Sequence, residues 1–122
     1  MNSCKAIQAQ LNINWIIIAT ISGQIQFVNR ETGKLACEIQ AHSSALTSII
    51  DWNDFIISSS EDHSVRIFKI LNNSKESFEI KFEKQKKFDN QIPIGVCVMK
   101  KQNQTLCGVS CFENLKIETF QF

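Results

Sequence analysis

An internal repeat of 40 residues limits the folds open to this chain more than any other feature of its sequence. Residues 15–29 align without a gap with residues 55–69, and Ile16, Ile25, Phe27 and Val28 meet the apolar residues Ile56, Val65, Ile67 and Phe68. A third copy, residues 105–120, aligns with the second at an offset of 52, which places Asn114 on Asp62. Repeats of this length are typical of proteins assembled from similar supersecondary units, so we expect a repeat architecture and not one irregular core.

Within each copy, the local signals predict β-strands. β-Branched and aromatic residues cluster in short runs, and polar turns such as Ser22-Gly23 and Asp62-His63 separate the runs. Four such strands fit one 40-residue unit, and no segment carries a helical apolar stripe. We therefore predict an all-β fold made of antiparallel four-stranded units.

The larger offset of the third copy requires an insertion, which residues 71–91 supply. Within it, Phe78, Ile80 and Phe82 alternate with charged residues at a period of two. This alternation predicts a half-buried outer strand. Residues 84–87 are predicted to form an exposed loop.

Composition and charge exclude several classes of protein. Hydrophobic residues make up 43% of the chain and charged residues 20%, which excludes disordered and collagen-like chains. The longest purely apolar run, residues 15–19, is far shorter than the roughly 20 residues that cross a bilayer, and no apolar signal-peptide core follows Met1. The net charge of +1 gives no overall electrostatic attraction for nucleic acid or an anionic membrane. We therefore expect neither membrane insertion nor a nucleic-acid partner.

The five cysteines indicate free, buried thiols in a reducing compartment. Their number is odd, and no pair has C-x-x-C spacing. A metal site built from Cys97, Cys107, Cys111 and His63 is the alternative, but zinc sites favour tighter pairs and four convergent ligands. We expect no metal and no cofactor.

A 40-residue, four-stranded unit with these turns resembles the blade of the WD-repeat (WD40) family of β-propellers, and the second copy carries the resemblance. The family's usual Gly-His appears as Ala41-His42, and its later Ser, Asp and Trp appear as Ser58, Asp62 and Phe68. The resemblance implies that His42, Ser58, Asp62 and Phe68 form the family's hydrogen-bonded tetrad. Phe68 departs from the pattern because it lacks the indole N–H of the usual Trp.

The resemblance also implies an incomplete propeller of about three blades. The expected blades are approximately residues 1–40, residues 41–91 with the polar insertion at 71–91, and residues 92–122. Propellers close with roughly four to eight blades. We therefore expect further blades or another chain to complete the ring.

Members of this family mostly act as rigid platforms that hold other proteins, so the resemblance implies a non-catalytic, cytoplasmic protein–protein interaction scaffold within a larger assembly. No small-molecule substrate is expected. In the family, binding usually uses the turns between second and third strands and the loops that join blades. On this chain, the partner-binding residues would be Gln24, Ser43, Ser44, Glu61, His63 and Glu113, with Arg66 on the adjoining strand.

Two other functions stay open. One is a structural subunit of a cytoskeletal or ciliary complex, located there, whose propeller another chain completes. The other, more remote, is a hydrolase, because His42, Ser58 and Asp62 have the residue types of a hydrolytic triad. The sequence argues against the hydrolase, since it has neither a G-x-S-x-G elbow nor a glycine-rich oxyanion loop.

The lysines of residues 81–87, with Lys100 and Lys101, give two further readings. They would contact RNA or an acidic protein surface, or they would only keep the insertion exposed to water. We favour solvation, because Glu79 and Glu83 interleave with the lysines.

Overall fold

The computed structural model describes residues 6–11, 14–73 and 78–122, and the side chains of residues 14–71 and 79–122. These residues form β-strands joined by turns, and none of them lies in a helix. No helix that could cross a membrane occurs in this part of the chain. The strands are β1 (Ala6–Leu11), β2 (Trp15–Thr20), β3 (Gln24–Asn29), β4 (Leu35–Gln40), β5 (Leu46–Trp52), β6 (Phe55–Ser60), β7 (Ser64–Asn73), β8 (Phe78–Lys87), β9 (Pro93–Lys101), β10 (Gln104–Cys111) and β11 (Ile117–Gln121).

The strands form three antiparallel sheets, which are three consecutive blades of a β-propeller. Blade 1 has the order β1-β2-β3-β4, blade 2 the order β5-β6-β7-β8, and blade 3 the order β9-β10-β11. The first strands of the blades, β1, β5 and β9, are neighbours in space. The predicted all-β fold of an incomplete propeller is confirmed.

Two apolar layers hold the blades together. The layer between blades 1 and 2 contains Ile17 and Phe27 from one side and Ile49 and Ile56 from the other, each at most 1% exposed. The layer between blades 2 and 3 is built from Ile57, Val65, Ile67, Phe88, Cys107, Val109 and Cys111. Successive residues of a strand point to opposite faces. Ile56 and Ile57 therefore reach different layers, and β6 packs against both neighbouring blades.

The third copy of the repeat is aligned differently in its two central strands. Cys107 and Val109 face blade 2, just as Ile56 faces blade 1. Cys107 is therefore the counterpart of Ile56, and the offset between β6 and β10 is 51. Along β11 the offset is 52, since Phe120 pairs with Cys107 as Phe68 pairs with Ile56. The single offset of 52 was therefore wrong for β10, because the β10–β11 turn contains one additional residue.

The insertion contains a long outer strand where the sequence predicted a strand followed by a loop. The outer strand is confirmed, and Ile80 packs against the first apolar layer. The predicted loop at 84–87 was wrong, because these residues continue β8 and pair with β7 from Ile67 to Ser64. An exposed outer strand needs no apolar alternation once its backbone is paired, so its charged side chains resemble those of a loop.

Glycine is required where the β2–β3 turn meets the segment that joins blades 1 and 2. The carbonyl oxygen of Gly23 accepts hydrogen bonds from the N–H groups of Ala41 and His42, each at 3.0 Å. The φ angle of Gly23 is 88°, and a Cβ there would overlap the carbonyl oxygen of His42 and lie 2.8 Å from that of Ser44. The joining segment approaches the turn this closely only because residue 23 has no side chain.

We expect Gly23→Ala to lower the free energy of unfolding by about 2–4 kcal/mol, from left-handed backbone strain together with overpacking. Gly33→Ala is the matched control, because Gly33 also has a positive φ of 70° but nothing lies within 4 Å of its would-be Cβ. That variant should lose only about 1–2 kcal/mol. Urea unfolding followed by tryptophan fluorescence measures both, and equal losses would contradict the steric argument.

Candidate functional site

One end of the three blades presents a continuous surface of turns and joining segments, which we call the loop surface. It comprises residues 21–23, 41–45, 61–63, 88–92 and 112–116. Hydrogen bonds connect these segments in sequence around the blades. Glu61 N–H donates to Ala45 O at 2.9 Å, and Phe112 N–H donates to Ile92 O at 2.8 Å. The loop surface is therefore a braced frame and not a set of independent loops.

The residues expected to bind a partner lie on or beside this surface. Ser44 and Gln24 are half-buried, whereas Ser43, Glu61, His63 and Glu113 are exposed. Gln24 accepts from the Ser22 hydroxyl through Oε1 at 3.3 Å. His63 Nδ1 donates to Gln91 O at 2.7 Å, so this imidazole is already tied to the segment between blades 2 and 3.

Arg66 is engaged inside its own blade. Its Nη1 donates to Ala41 O at 2.7 Å and its Nε donates to Gln85 Oε1 at 2.9 Å. The guanidinium carbon also lies 5.9 Å from the centre of the Phe82 ring. Two of its three guanidinium nitrogens therefore bind other residues of this chain. The expectation that Arg66 contributes to partner binding stays a prediction.

Three exposed apolar residues on the loop surface were not predicted from the sequence. Ile21, Phe112 and Leu115 are 52%, 59% and 104% exposed. Ile21 and Phe112 occupy the turn position that Glu61 occupies in blade 2, directly after the second strand of each blade. The 40-residue alignment contains this signal for Ile21, which falls on the acidic Glu61. For the third copy the offset of 52 placed Glu113 at this position, so Phe112 was missed.

Beneath the loop surface, His42 is held between Asp62 and Ser58. His42 Nδ1 lies 3.0 Å from Asp62 Oδ2, and His42 Nε2 lies 2.8 Å from Ser58 Oγ. Because a carboxylate only accepts, Nδ1 carries the proton and the Ser58 hydroxyl donates to Nε2. The structure thus brings together three of the four residues of the expected tetrad.

Phe68, the fourth residue, has no hydrogen-bonding atom on its side chain. It is 7% exposed and belongs to the apolar layer between blades 1 and 2. Its ring meets the Phe82 ring edge-on, with the centroids 5.9 Å apart. Phe68 therefore contributes apolar contact and no polar bond.

Asp62 accepts hydrogen bonds at both of its carboxylate oxygens. Besides the imidazole, Oδ2 accepts from Ser43 N–H at 3.1 Å. Oδ1 accepts from Ser64 Oγ at 2.5 Å and from Ser64 N–H at 3.0 Å. Sequence reasoning missed Ser64, although a Ser two residues after an Asp in a turn is a signal for this local bond.

The pKa values of both groups are lowered, for different reasons. Burial lowers the pKa of His42 below its ordinary 6.5 because the charged imidazolium is poorly solvated there, and this outweighs the opposing influence of Asp62. Burial acts to raise the pKa of Asp62, but its bonds from Ser64 and its proximity to His42 bring it below 3.8. A neutral imidazole bonded to an ionised carboxylate is the state that fits both shifts.

The order Asp62–His42–Ser58 has the connectivity of a hydrolytic triad, but no substrate reaches it. Ser58 is 0% exposed and His42 is 1% exposed, and both lie beneath the loop surface. A nucleophile must be reachable by the group that it attacks. In this arrangement, the three residues join the blade 2 turn to the segment entering that blade.

Blade 3 has a weaker counterpart of this connection. Asn114 Nδ2 donates to Gln91 Oε1 at 3.3 Å, which links the β10–β11 turn to the segment entering blade 3. Asn114 Oδ1 accepts from Lys116 N–H, as Asp62 accepts from Ser64. In blade 3, a hydrogen bond between two neutral amides thus takes the place of the bond between His42 and the ionised Asp62 in blade 2.

The cysteines considered for a metal do not converge. Cys107 and Cys111 are buried in the layer between blades 2 and 3, whereas Cys97 is exposed, and burial raises the pKa of Cys107 to about 12. Cys37 is half-buried and Cys4 lies outside the described residues. No group of three or more His, Cys, Asp or Glu side chains in the described ranges is placed to hold a metal.

We expect the protein to lose stability as the pH falls below about 6.5, because His42 takes up a proton in the unfolded chain but not in the folded one. The unfolded state binds more protons between the two pKa values, so the free energy of unfolding rises with pH there. Asp62 acts in the same sense at lower pH, below about 4. Thermal unfolding between pH 5 and 8, compared with His42→Gln, measures the effect. His63 is present in both proteins, so an unchanged slope in the variant would refute this assignment.

Asp62→Ala should lower the free energy of unfolding by about 2–4 kcal/mol at neutral pH, because it removes the charged acceptor of the buried His42 Nδ1 proton and leaves only the more distant Ser64 Oγ, at 3.2 Å. Glu61→Ala removes a neighbouring exposed carboxylate and should change stability by less than about 0.5 kcal/mol. Guanidinium unfolding of both variants provides the comparison. Similar losses in the two variants would show that the contacts of Asp62 contribute no more to stability than an exposed carboxylate does.

Comparison with known proteins supports the fold. The chain is similar to the crystal structure of the β-propeller domain of Cps50 (Swd1) from Myceliophteria thermophila, with a TM-score of 0.78 and 12% identity over 88% of this chain and 34% of that one. It is also similar to the computationally designed Ika8 protein, with a TM-score of 0.62 and 13% identity over 96% of this chain and 33% of that one. The designed Ika4 protein gives a TM-score of 0.62 and 15% identity over 96% of this chain and 66% of that one.

The chain thus spans about a third of the length of the first two of these structures. No family model matches the sequence, and no curated protein matches it. At these identities, the likeness shows a shared β-propeller fold.

Proposed function

We propose that this chain is a non-catalytic scaffold of the WD-repeat type that binds other proteins through its loop surface. It would work in the cytoplasm as part of a larger assembly, with its three blades, approximately 1–40, 41–91 and 92–122, belonging to a ring that further blades complete. Within the WD-repeat family, the stretch from residue 58 onward, with its polar insertion, most resembles WD repeat-containing protein 54.

The observation that carries the proposal is the pairing of exposed apolar side chains with a rigid frame. Ile21, Phe112 and Leu115 each expose more than half of their surface. The turns that carry them are fixed by hydrogen bonds to the joining segments. Apolar side chains on a pre-organised frame lose little entropy on binding, which is the arrangement that favours protein–protein contact.

The polar residues of the surface would set the orientation of the partner. Ser43, Ser44 and His63 lie between the apolar positions, and Glu61 and Glu113 add exposed carboxylates. Exposed charges at the edge of an interface mainly affect the association rate and the choice of partner. The buried His42 and Ser58 would act on this surface only by holding its frame.

The test compares two double variants that each remove two large apolar side chains of similar fractional exposure. Ile21→Ser with Phe112→Ser alters the loop surface, whereas Leu35→Ser with Leu71→Ser alters residues that are 55% and 54% exposed outside it. In quantitative affinity purification from the source cells, we expect a protein retained by wild type and the control pair to fall at least about tenfold with the loop-surface pair. Equal retention by all three proteins would argue against a binding role for this surface.

A further inference from the structure

At the end of the blades opposite the loop surface, three aromatic rings from blades 2 and 3 pack together. Trp52 and Phe55 flank the β5–β6 turn, with ring centroids 6.3 Å apart, and Phe122 follows β11. The Phe122 ring meets Trp52 and Phe55 edge-on, at centroid distances of 5.9 and 5.5 Å. All three side chains are half-buried, so each ring keeps a part of its surface in contact with solvent.

Three lysines surround these rings. Lys100 Nζ lies 5.9 Å from the centre of the Trp52 ring, and Lys69 Nζ lies 5.9 Å from that of Phe55. Lys84 approaches from β8, where its Nζ donates to the carbonyl oxygen of Gln121, next to Phe122. We call Trp52, Phe55, Phe122, Lys69, Lys84 and Lys100 the basic aromatic patch.

The three lysines of this patch form no ion pair with a described side chain. Among the described side chains, no carboxylate lies within salt-bridge distance of Lys69, Lys84 or Lys100. Lys81, on the same strand as Lys84, is different, because its Nζ lies 3.4 Å from Glu83 Oε1. The patch therefore combines three half-buried aromatic rings with three ammonium groups that form no ion pair within the described part of the chain.

We propose that the basic aromatic patch binds single-stranded nucleic acid. Lysines that follow a phosphate backbone, beside rings on which bases stack, are the usual elements of such sites. An acidic peptide would use the charges alone, whereas a single strand would use both the charges and the partly exposed rings. The net charge of +1 supplies no general attraction, so the contacts are local and involve about three phosphates.

Binding is tested with a fluorescent oligo-uridine of about 12 nucleotides, and with oligo-thymidine of the same length, at low salt. The logarithm of the binding constant should fall against that of the salt concentration with a slope of about −2, as expected for three phosphates on a single strand. Tryptophan fluorescence should be quenched. Trp15 is only 2% exposed, so the quenching reports stacking on Trp52.

Two triple variants with the same change in charge provide the control. Lys69→Gln, Lys84→Gln and Lys100→Gln together should weaken binding at least about tenfold, whereas Lys34→Gln, Lys87→Gln and Lys116→Gln together should have a small effect. Trp52→Leu should reduce both affinity and quenching, and circular dichroism checks that each variant is folded.

Three results would overturn the proposal. These are no binding at low salt, equal losses in the two triple variants, or equally tight binding of a poly-glutamate peptide without quenching. The last would identify the patch as a site for an acidic protein segment. The patch shares no residue with the loop surface, so this test is independent of the scaffold proposal.

Discussion

The fold depends on the central blade having to bury both of its faces. In β6, the five residues from Ile56 to Ser60 are all buried, although a strand normally alternates between a core face and a solvent face. One face supplies Ile56 to the layer with blade 1, and the other supplies Ile57 to the layer with blade 3. Each such side chain contributes about 1.5–3 kcal/mol on burial, so neighbouring blades stabilise one another.

This double burial also buries hydroxyl groups, and nearby hydrogen-bond partners satisfy them. Ser58, Ser59 and Ser60 are buried along with their apolar neighbours, and buried hydroxyl groups need partners. Ser58 bonds His42, Ser59 bonds Thr47, and Ser60 bonds the carbonyl oxygens of residues 44 and 45. Each bond fastens β6 either to the joining segment or to β5. The same interactions that satisfy the core therefore also position the loop surface.

The difference between the blades has a simple electrostatic reason. In blade 2 an ionised Asp62 accepts four protein donors, while in blade 3 the corresponding Asn114 makes a neutral bond with Gln91. Charge-assisted hydrogen bonds are roughly twice as strong as neutral ones. The β6–β7 turn is accordingly held more firmly to its joining segment than the β10–β11 turn is to its own.

Much of the fold and part of the site could be predicted from the sequence, because the strands and turns of each repeat follow from residues that are close together in the chain. The 40-residue offset placed the turns at Ser22-Gly23 and Asp62-His63 between the correct strands. The predictions that failed depended on the exact length of a turn or on exposed positions. Because the β10–β11 turn contains one additional residue, the offset of 52 aligned Ser110 with Ser58, although Ser110 lies one residue beyond the equivalent position. Residues 84–87 were predicted as a loop because an outer strand needs no apolar pattern.

The sequence by itself determined the all-β character, the order of the strands and the spacing of His42 and Asp62, since these follow from periodicity and from turn residues near in the chain. Only the tertiary structure decided which side chains face solvent and which distant segments meet. It closed access to Ser58, turned Arg66 into its own blade, and gathered Trp52 and Lys100 at one seam. Such contacts depend on how neighbouring blades pack, and no local pattern encodes the distance between side chains from different blades.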